Sequence, residues 1–280
     1  MASPVSSGVQ AKPKTAPRPC LFCDANANSP EHMWSDWMRP YFPRTAHDKS
    51  IETHWRVTPG ETREGSRRIL HGHSTTRKLK TVCAPCNNGW MSRLEMAAKP
   101  ILEPMMRGEP VALAEAQQRI LTQWLTLKMM VWEQTDPRAR LFKRTETLAF
   151  ARDRSLPEAL RIWLFRTRIP HFARVTRSFT ALVEAGQVVG PEAANVQTVL
   201  FGAGQFVAFI LHTRLPQVEI AKHRQVFARP LWPIWRPVLK WPPARVLDAA
   251  QIDYLGDTLN RWVVRFRRVA EGRYRLVRNV

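Results

Sequence analysis

The sequence predicts an α+β protein built from a cysteine-stapled N-terminal module and a larger accessory domain. Three observations lead there. All four cysteines fall in two Cys-x-x-Cys pairs, Cys20/Cys23 and Cys83/Cys86, within the first third of 280 residues. The apolar pattern changes from Pro100 onward, where one helical stretch gives way to segments that read as strands. A hydrophobic content of 44% supports a real core, and the length holds one large or two ordinary domains.

Residues 1–19 read as a disordered basic leader, since Pro4, Pro13, Pro17 and Pro19 block regular structure. Residues 20–99 form the cysteine-bearing module. Its polar stretch from Thr45 to Thr75 reads as a loop, and Thr76 to Val82 as a short strand leading into the second cysteine pair. After Cys86, Trp90, Leu94 and Ala97 recur at helical spacing, with Gly89 in the first turn. Residues 100–280 are expected to form an α+β accessory domain. Ile120, Trp124, Leu127 and Val131 mark an amphipathic helix, followed by strands at Leu160–Phe165, Phe172–Leu182, Thr198–Phe201 and Gln205–His212. Gly202-Ala203-Gly204 joins the last two strands. Asp248 is a candidate N-cap for a helix to Trp262 that carries Ile252, Leu255 and Leu259. Alternating apolar and basic residues, Val264-Arg265-Phe266-Arg267 and Arg273-Tyr274-Arg275-Leu276 about Glu271-Gly272, read as a hairpin with Arg265, Arg267, Arg273 and Arg275 on one face.

The formal charge of +20 makes a polyanion the expected partner, nucleic acid first. Basic residues outnumber acidic ones by 15 to 8 in residues 1–99 and by 28 to 15 in the remainder, so neither part is a mere charged tail. No acid lies between Glu64 and Glu95, while Arg77, Lys78 and Lys80 crowd towards the second cysteine pair. The duller reading of such charge is an arginine-rich composition with a solvated face. The longest apolar run, Val199 to Leu211, is broken by Gly202, Gly204 and Gln205 and is too short to span a bilayer. No membrane partner is expected.

Met1 to Pro19 lacks the apolar core of a secretory signal, so a reducing cytoplasm is the expected compartment, where paired Cys-x-x-Cys turns favour metal over cystine. Two such turns complete a tetrahedral shell of four thiolates, as in structural Zn2+ sites. An iron–sulfur cluster also accepts four thiolates, but the two-plus-two spacing favours zinc. A redox dithiol needs only one pair and a thioredoxin-like βαβ setting.

Cys20-Leu-Phe-Cys23, then Ser29-Pro30-Glu31-His32-Met33-Trp34, then Cys83-Ala-Pro-Cys86-Asn87-Asn88-Gly89-Trp90-Met91-Ser92-Arg93-Leu94-Glu95 resembles the zinc-knuckle branch of the HNH endonucleases, orphan bacterial and phage members especially. The resemblance covers about residues 20–98. It implies a ββα-metal fold with a structural zinc on the four cysteines and a separate catalytic Mg2+ or Mn2+. By position, Glu31 resembles the carboxylate metal ligand, His32 the general base and Asn87 the second ligand at the helix start. The chemistry wants these types: an imidazole is matched to deprotonating water near neutral pH, and a hard ion prefers the oxygens of Glu31 and Asn87 to thiolates. Adjacent Glu31 and His32 leave an ideal strand on opposite faces, so a shared site demands an irregular turn there. Many members carry a third His or Asn in the second strand. This sequence has Arg77-Lys78-Leu79-Lys80-Thr81 instead, leaving His71 or His73 for that role from the loop, or Lys78 to bind phosphate directly.

Each residue also has a plainer use: Glu31-His32 as a surface pair, Asn87 and Asn88 as helix caps, His71 and His73 as solvated loop, and Trp34, Trp37 and Trp90 as module core. Trp232, Trp235 and Trp241 serve either base stacking or packing. Two function readings result. The first is a metal-dependent endonuclease hydrolysing DNA, with RNA using the same chemistry. The second is a zinc-stabilised DNA-binding protein or a catalytically inactive relative of such a nuclease.

Overall fold

The computed structural model describes residues 18–42, 49–58, 61–71, 76–136, 140–170, 172–180, 194–215, 218–219, 229–259, 266–270 and 273–276. Leader residues 1–17 lie outside this set.

Strand β1 (Ser29–His32) leads through a 3-10 turn at Asp36–Tyr41 towards a long antiparallel hairpin, β2 (Lys49–Thr58) and β3 (Glu61–His71). The segment expected as a polar loop is thus mostly paired strand. Its alternation is of polar with β-branched residues, such as Ile51, Thr53 and Val57, and backbone pairing outweighs the missing apolar signal. Strand β4 (Lys78–Val82) returns antiparallel to β1, in the place expected for the second-cysteine strand. A one-turn helix α1 (Ala84–Cys86) follows. The chain kinks at Gly89, whose φ of −91° and ψ of −109° are not helical, and enters α2 (Ser92–Arg107).

The expected boundary at residue 99 falls inside α2, which runs through Pro100 and Pro104. Each proline removes one helical hydrogen bond. Burial of Ile101, Leu102, Met105 and Met106 outweighs that loss. Ala98, rather than the expected Ala97, is the buried alanine of this helix. The helix ends on Gly108 in the left-handed conformation (φ 79°). Its last turn docks on a second left-handed glycine, Gly204 (φ 57°), through Gln205 N–H to the Met106 carbonyl at 2.8 Å.

Strand β5 (Val111–Ala114) leads into α3 (Glu115–Trp132), then a turn and α4 (Arg144–Asp153). The C-terminal sheet is built from β6 (Arg161–Thr167), β7 (Ala173–Thr180), β8 (Val196–Ala203) and β9 (Phe206–Thr213), close to the expected strands. The two-residue β10 (Val218–Glu219) belongs to a separate small sheet. Next, β11 (Arg229–Trp232) joins the large sheet, β12 (Val238–Trp241) pairs with β5, and β13 (Val246–Leu247) runs parallel to β6. The sheet order is β11-β6-β9-β8-β7, with each of these neighbours antiparallel. Helix α5 (Ala249–Gly256) is capped by Asp248, which accepts from Gln251 N–H at 2.8 Å. Last, β14 (Phe266–Ala270) and β15 (Arg273–Leu276) form the expected basic hairpin, with Arg267 opposite Arg275, and β10 pairs with β15. Arg265 lies outside the described residues.

Both faces of the sheet are covered, and period-two alternation sorts its side chains. Val199, Phe201, Phe206, Ala208 and Ile210 join one cluster with α2, α3 and the cysteine module, from Cys20 to Trp241. Val196, Leu200, Val207, Phe209 and Leu211 pack on Ile252, Leu255 and Leu259. The module and the sheet therefore share one core. Phe201 is its meeting point, with ring centroids 4.9 Å from Trp34, 5.5 Å from Trp124 and 5.2 Å from Trp132. Helix α3 was expected to be amphipathic, but every residue from Trp124 to Trp132 is buried.

A buried polar patch closes the far end of α3. Glu133 accepts from the N–H groups of Leu141 (3.1 Å) and Phe142 (3.2 Å) and from Gln197. Burial still pushes its carboxyl up to about 7. His212, opposite Gln197 across the β8–β9 ladder, stacks on Phe142 at 4.3 Å. Burial, with the nearby Arg214 charge, lowers the imidazole to about 3. A histidine held neutral in the fold is protonated first in the unfolded chain. Its linkage costs nothing above about pH 6.5 and removes stability as pH falls from there towards 3. We expect His212→Phe to spare roughly 3 kcal/mol of the parent's loss between pH 7 and pH 4, read from denaturant melts of both proteins at each pH.

Candidate functional site

The first cysteine turn is shaped by sulfur acceptors. Cys20 Sγ accepts from Phe22 N–H at 3.4 Å and from Cys83 N–H at 3.2 Å, so the second pair is docked on the first before any ion is considered. All four sulfurs lie within 4.8 Å of one another, with Cys23 at 3.4 Å from Cys83 and 3.7 Å from Cys86. Zinc–thiolate bonds of about 2.3 Å require tetrahedral sulfurs about 3.8 Å apart. The donor set fits that ion, and the cysteines are free thiols, not cystines. Burial pushes the Cys86 thiol up, helped by the hydrogen bond with Cys83 and the charge of Cys20. A bound divalent cation reverses that preference and holds thiolates.

A side chain from the far part of the chain grips the knuckle. Arg144, at the start of α4, donates to the carbonyls of Cys20 (2.6 Å), Leu21 (2.9 Å) and Cys23 (2.8 Å) and to Asp24 Oδ1 (2.9 Å). Trp90 packs edge-on against Phe22 at 4.9 Å, with the Arg154 guanidinium 3.8 Å above its ring. Neither arginine carries a sequence signal, because each partner lies more than 60 residues away.

Asn87 follows α1 directly as its C-cap, before the kink at Gly89, and not at the start of α2 as the resemblance implies. Its amide Nδ2 donates to Ser29 Oγ at 2.9 Å and to the Pro30 carbonyl at 3.4 Å, which fastens the helix to β1. The bulge in the β1–β4 ladder lies between Ser29 and Pro30, and Glu31 and His32 pair regularly with Leu79 and Lys78. The irregular turn demanded at Glu31-His32 is therefore absent, and the two side chains leave on opposite faces.

Glu31 is buried and meets Lys128 Nζ at 3.0 Å. Lys128 is 1% exposed and also lies 3.2 Å from Glu95 Oε2. Burial alone would lower the Lys128 ammonium, but Glu95 and Glu31 outweigh it and raise its pKa above the ordinary lysine value. Sequence reading missed Lys128. The available signal was a lysine inside the apolar run Leu125-Thr126-Leu127-Lys128-Met129-Met130-Val131. Glu31 does not fit as a ligand of an ion shared with Asn87, because its carboxylate faces a buried ammonium; Asn87 bonds β1 through Nδ2, which does not engage its Oδ1.

His32 is half-buried on the other face, opposite Lys78. Burial, then the Lys78 charge, lowers its pKa below the ordinary histidine value, so the imidazole is neutral at pH 7. Lys78 and Lys80 are exposed and alternate with Leu79 and Thr81, which puts both ammonium groups on the His32 face; Arg77 immediately precedes them. His71 is exposed at the end of β3, and His73 lies outside the described residues. Among the described residues, the four cysteines are the one convergent group of three or more His, Cys, Asp or Glu. Of the tryptophans, Trp34 and Trp241 are core, Trp232 lies under Arg119 at 5.7 Å, and Trp235 is exposed. No helix of the described residues is long and apolar enough to cross a membrane.

Comparisons with known protein families, with characterised proteins and with solved structures gave no match.

The purified protein should carry one tightly bound zinc per chain by elemental analysis. Cys83→Ser should lose that zinc and more than about 4 kcal/mol of stability, because metal binding and module folding are one event. Four freely reactive thiols in the native, metal-analysed protein would refute the site.

Proposed function

We propose that this chain is an HNH-type endonuclease that hydrolyses phosphodiester bonds of DNA on the outer face of the β1–β4 pair. The observation carrying this reading is the arrangement of His32 opposite Lys78 on a strand whose register is held by Asn87 and the cysteine knuckle. A neutral imidazole accepts a proton from water, and an exposed ammonium beside it receives the phosphate. The charge of +20 supports a polyanionic substrate, and the resemblance around Glu31-His32 and Cys86-Asn87 supports the nuclease class. The four cysteines hold a structural zinc in this reading and take no part in hydrolysis. No step is assigned to Mg2+ or Mn2+, and both belong in the assay.

A second reading, a zinc-stabilised nucleic-acid-binding protein without hydrolysis, is favoured by one observation. Glu31, the carboxylate that a catalytic ion would use, is paired with Lys128.

His32→Ala decides between them. With plasmid DNA or a structured RNA, and Mg2+ or Mn2+ present, the parent should nick and the variant should be slower by about 10²- to 10⁴-fold, with zinc content and DNA affinity kept. Equal rates for the two proteins would remove His32 from the chemistry. If neither protein cuts but both bind DNA, the second reading stands.

The basic hairpin gives a separate expectation. Replacing Arg265, Arg267, Arg273 and Arg275 with Ser should flatten the salt dependence of duplex binding by up to about 3 to 4 units, since each neutralised phosphate adds roughly 0.9. Sequence preference should hold, because phosphate contacts carry no base information. Overlaid salt titrations would leave Arg77, Lys78 and Lys80 as the phosphate contacts.

A further inference from the structure

Three elements bring charge to one buried point. Glu31 comes from β1, Glu95 from α2 and Lys128 from the C-terminal half of α3. Lys128 Nζ lies 3.0 Å from Glu31 Oε1, 3.2 Å from Glu95 Oε2 and 3.4 Å from the His32 carbonyl. An ammonium has three protons, and these are three acceptors. Glu95 is satisfied in turn by the indole N–H groups of Trp37 (2.9 Å) and Trp124 (3.2 Å). Two carboxylates surround one ammonium, and both indole donors bond to Glu95. A second cation at Glu31 would have to face that ammonium or drive it into apolar surroundings, and both are costly.

We propose that Lys128 is the resident cation of the Glu31 pocket and a positioning residue for His32. It takes the carboxylate out of metal binding and fixes the β1 backbone at the His32 carbonyl. The pairing itself is independent of the nuclease reading, whereas the effect on His32 rests on it. Catalytic loss on removing the charge should therefore appear in the rate of cutting and not in the response to metal.

The test is a double-substitution cycle on the full zinc-loaded chain, with Glu31→Gln, Lys128→Met and the two combined. Lys128→Met leaves two buried carboxylates without their cation and should lower the melting temperature by about 10 °C, whereas Glu31→Gln leaves the ammonium with Glu95 alone and should lower it by less. The combined variant should lose clearly less than the sum. Binding of Mn2+, followed by electron paramagnetic resonance, should stay within about twofold of the parent in Glu31→Gln. In the nicking assay, Lys128→Met should cut at least tenfold more slowly with an unchanged Mn2+ half-saturation. Leu255→Ala, on the far face of the sheet, serves as the control that lowers melting without slowing cutting.

Additive melting losses would overturn the pairing. So would a parent-like melt of Glu31→Gln together with tenfold weaker Mn2+ binding, which would make Glu31 a metal ligand. If a single variant does not fold, a folded, zinc-bearing double variant supports the pairing and an unfolded one overturns it. A parent that does not cut ends the nuclease reading, but the melting cycle still decides the Glu31–Lys128 assignment.

Discussion

The C-terminal half of α3 has no route to water, and the rest of the structure is arranged around that fact. From Trp124 to Trp132 the helix is enclosed by the sheet on one side and by the cysteine module with α2 on the other. A lysine in such a place is tolerable only if opposite charges arrive with good geometry. They come from Glu31 and Glu95, so the helix that fills the core also dictates where β1 and α2 must lie. Breaking that set leaves an uncompensated charge in the core, a larger penalty than losing an apolar contact of similar size.

The cysteine knuckle contributes a different constraint. Its four sulfurs join segments separated by the β2–β3 hairpin, so an ion held there would carry the closure entropy of that insertion. Arg144 then ties the knuckle carbonyls to α4, and Trp90 ties the second cysteine turn to Phe22. Sulfur cluster, guanidinium and aromatic edge act on the same few residues. An ion bound at the four sulfurs would thereby be coupled to the core that the described residues of the module share with the sheet.

What was legible in the sequence follows the range of the interactions involved. Cysteine spacing, the strand before Cys83, the β8–β9 pair and the Asp248 cap are local patterns, and the structure has each in place. The partial misses are tertiary. The β2–β3 hairpin alternates polar with β-branched residues but is too polar to read as a strand by its apolar content, and α2 continues past two prolines because its buried side is worth more than the lost bonds. Lys128 and Glu31 are 97 residues apart and Arg144 and Cys20 are 124 apart, so no window of sequence contains either pair. The candidate site was half legible for the same reason: its residue types were visible, and the direction each side chain takes was not.

That direction depends on the bulge at Ser29/Pro30. Beyond it, Glu31 and Leu79 face inward while His32 and Lys78 face outward, and a slip of one residue would exchange the two sets. Asn87 donates to both residues that flank the bulge, and Asn87 is in turn placed by its N–H bond to the Cys83 carbonyl at 3.0 Å. A chain of contacts therefore runs from the four sulfurs through Asn87 to the register of β1. On the inner face Lys128 is matched by Glu31 and Glu95, and the indole N–H groups of Trp37 and Trp124 bond to Glu95. On the outer face Lys78 and Lys80 stand exposed beside a neutral histidine, and this is the side of β1 with charge left over for a polyanion. A structural zinc on the four cysteines would in this way help decide which face of the strand presents His32.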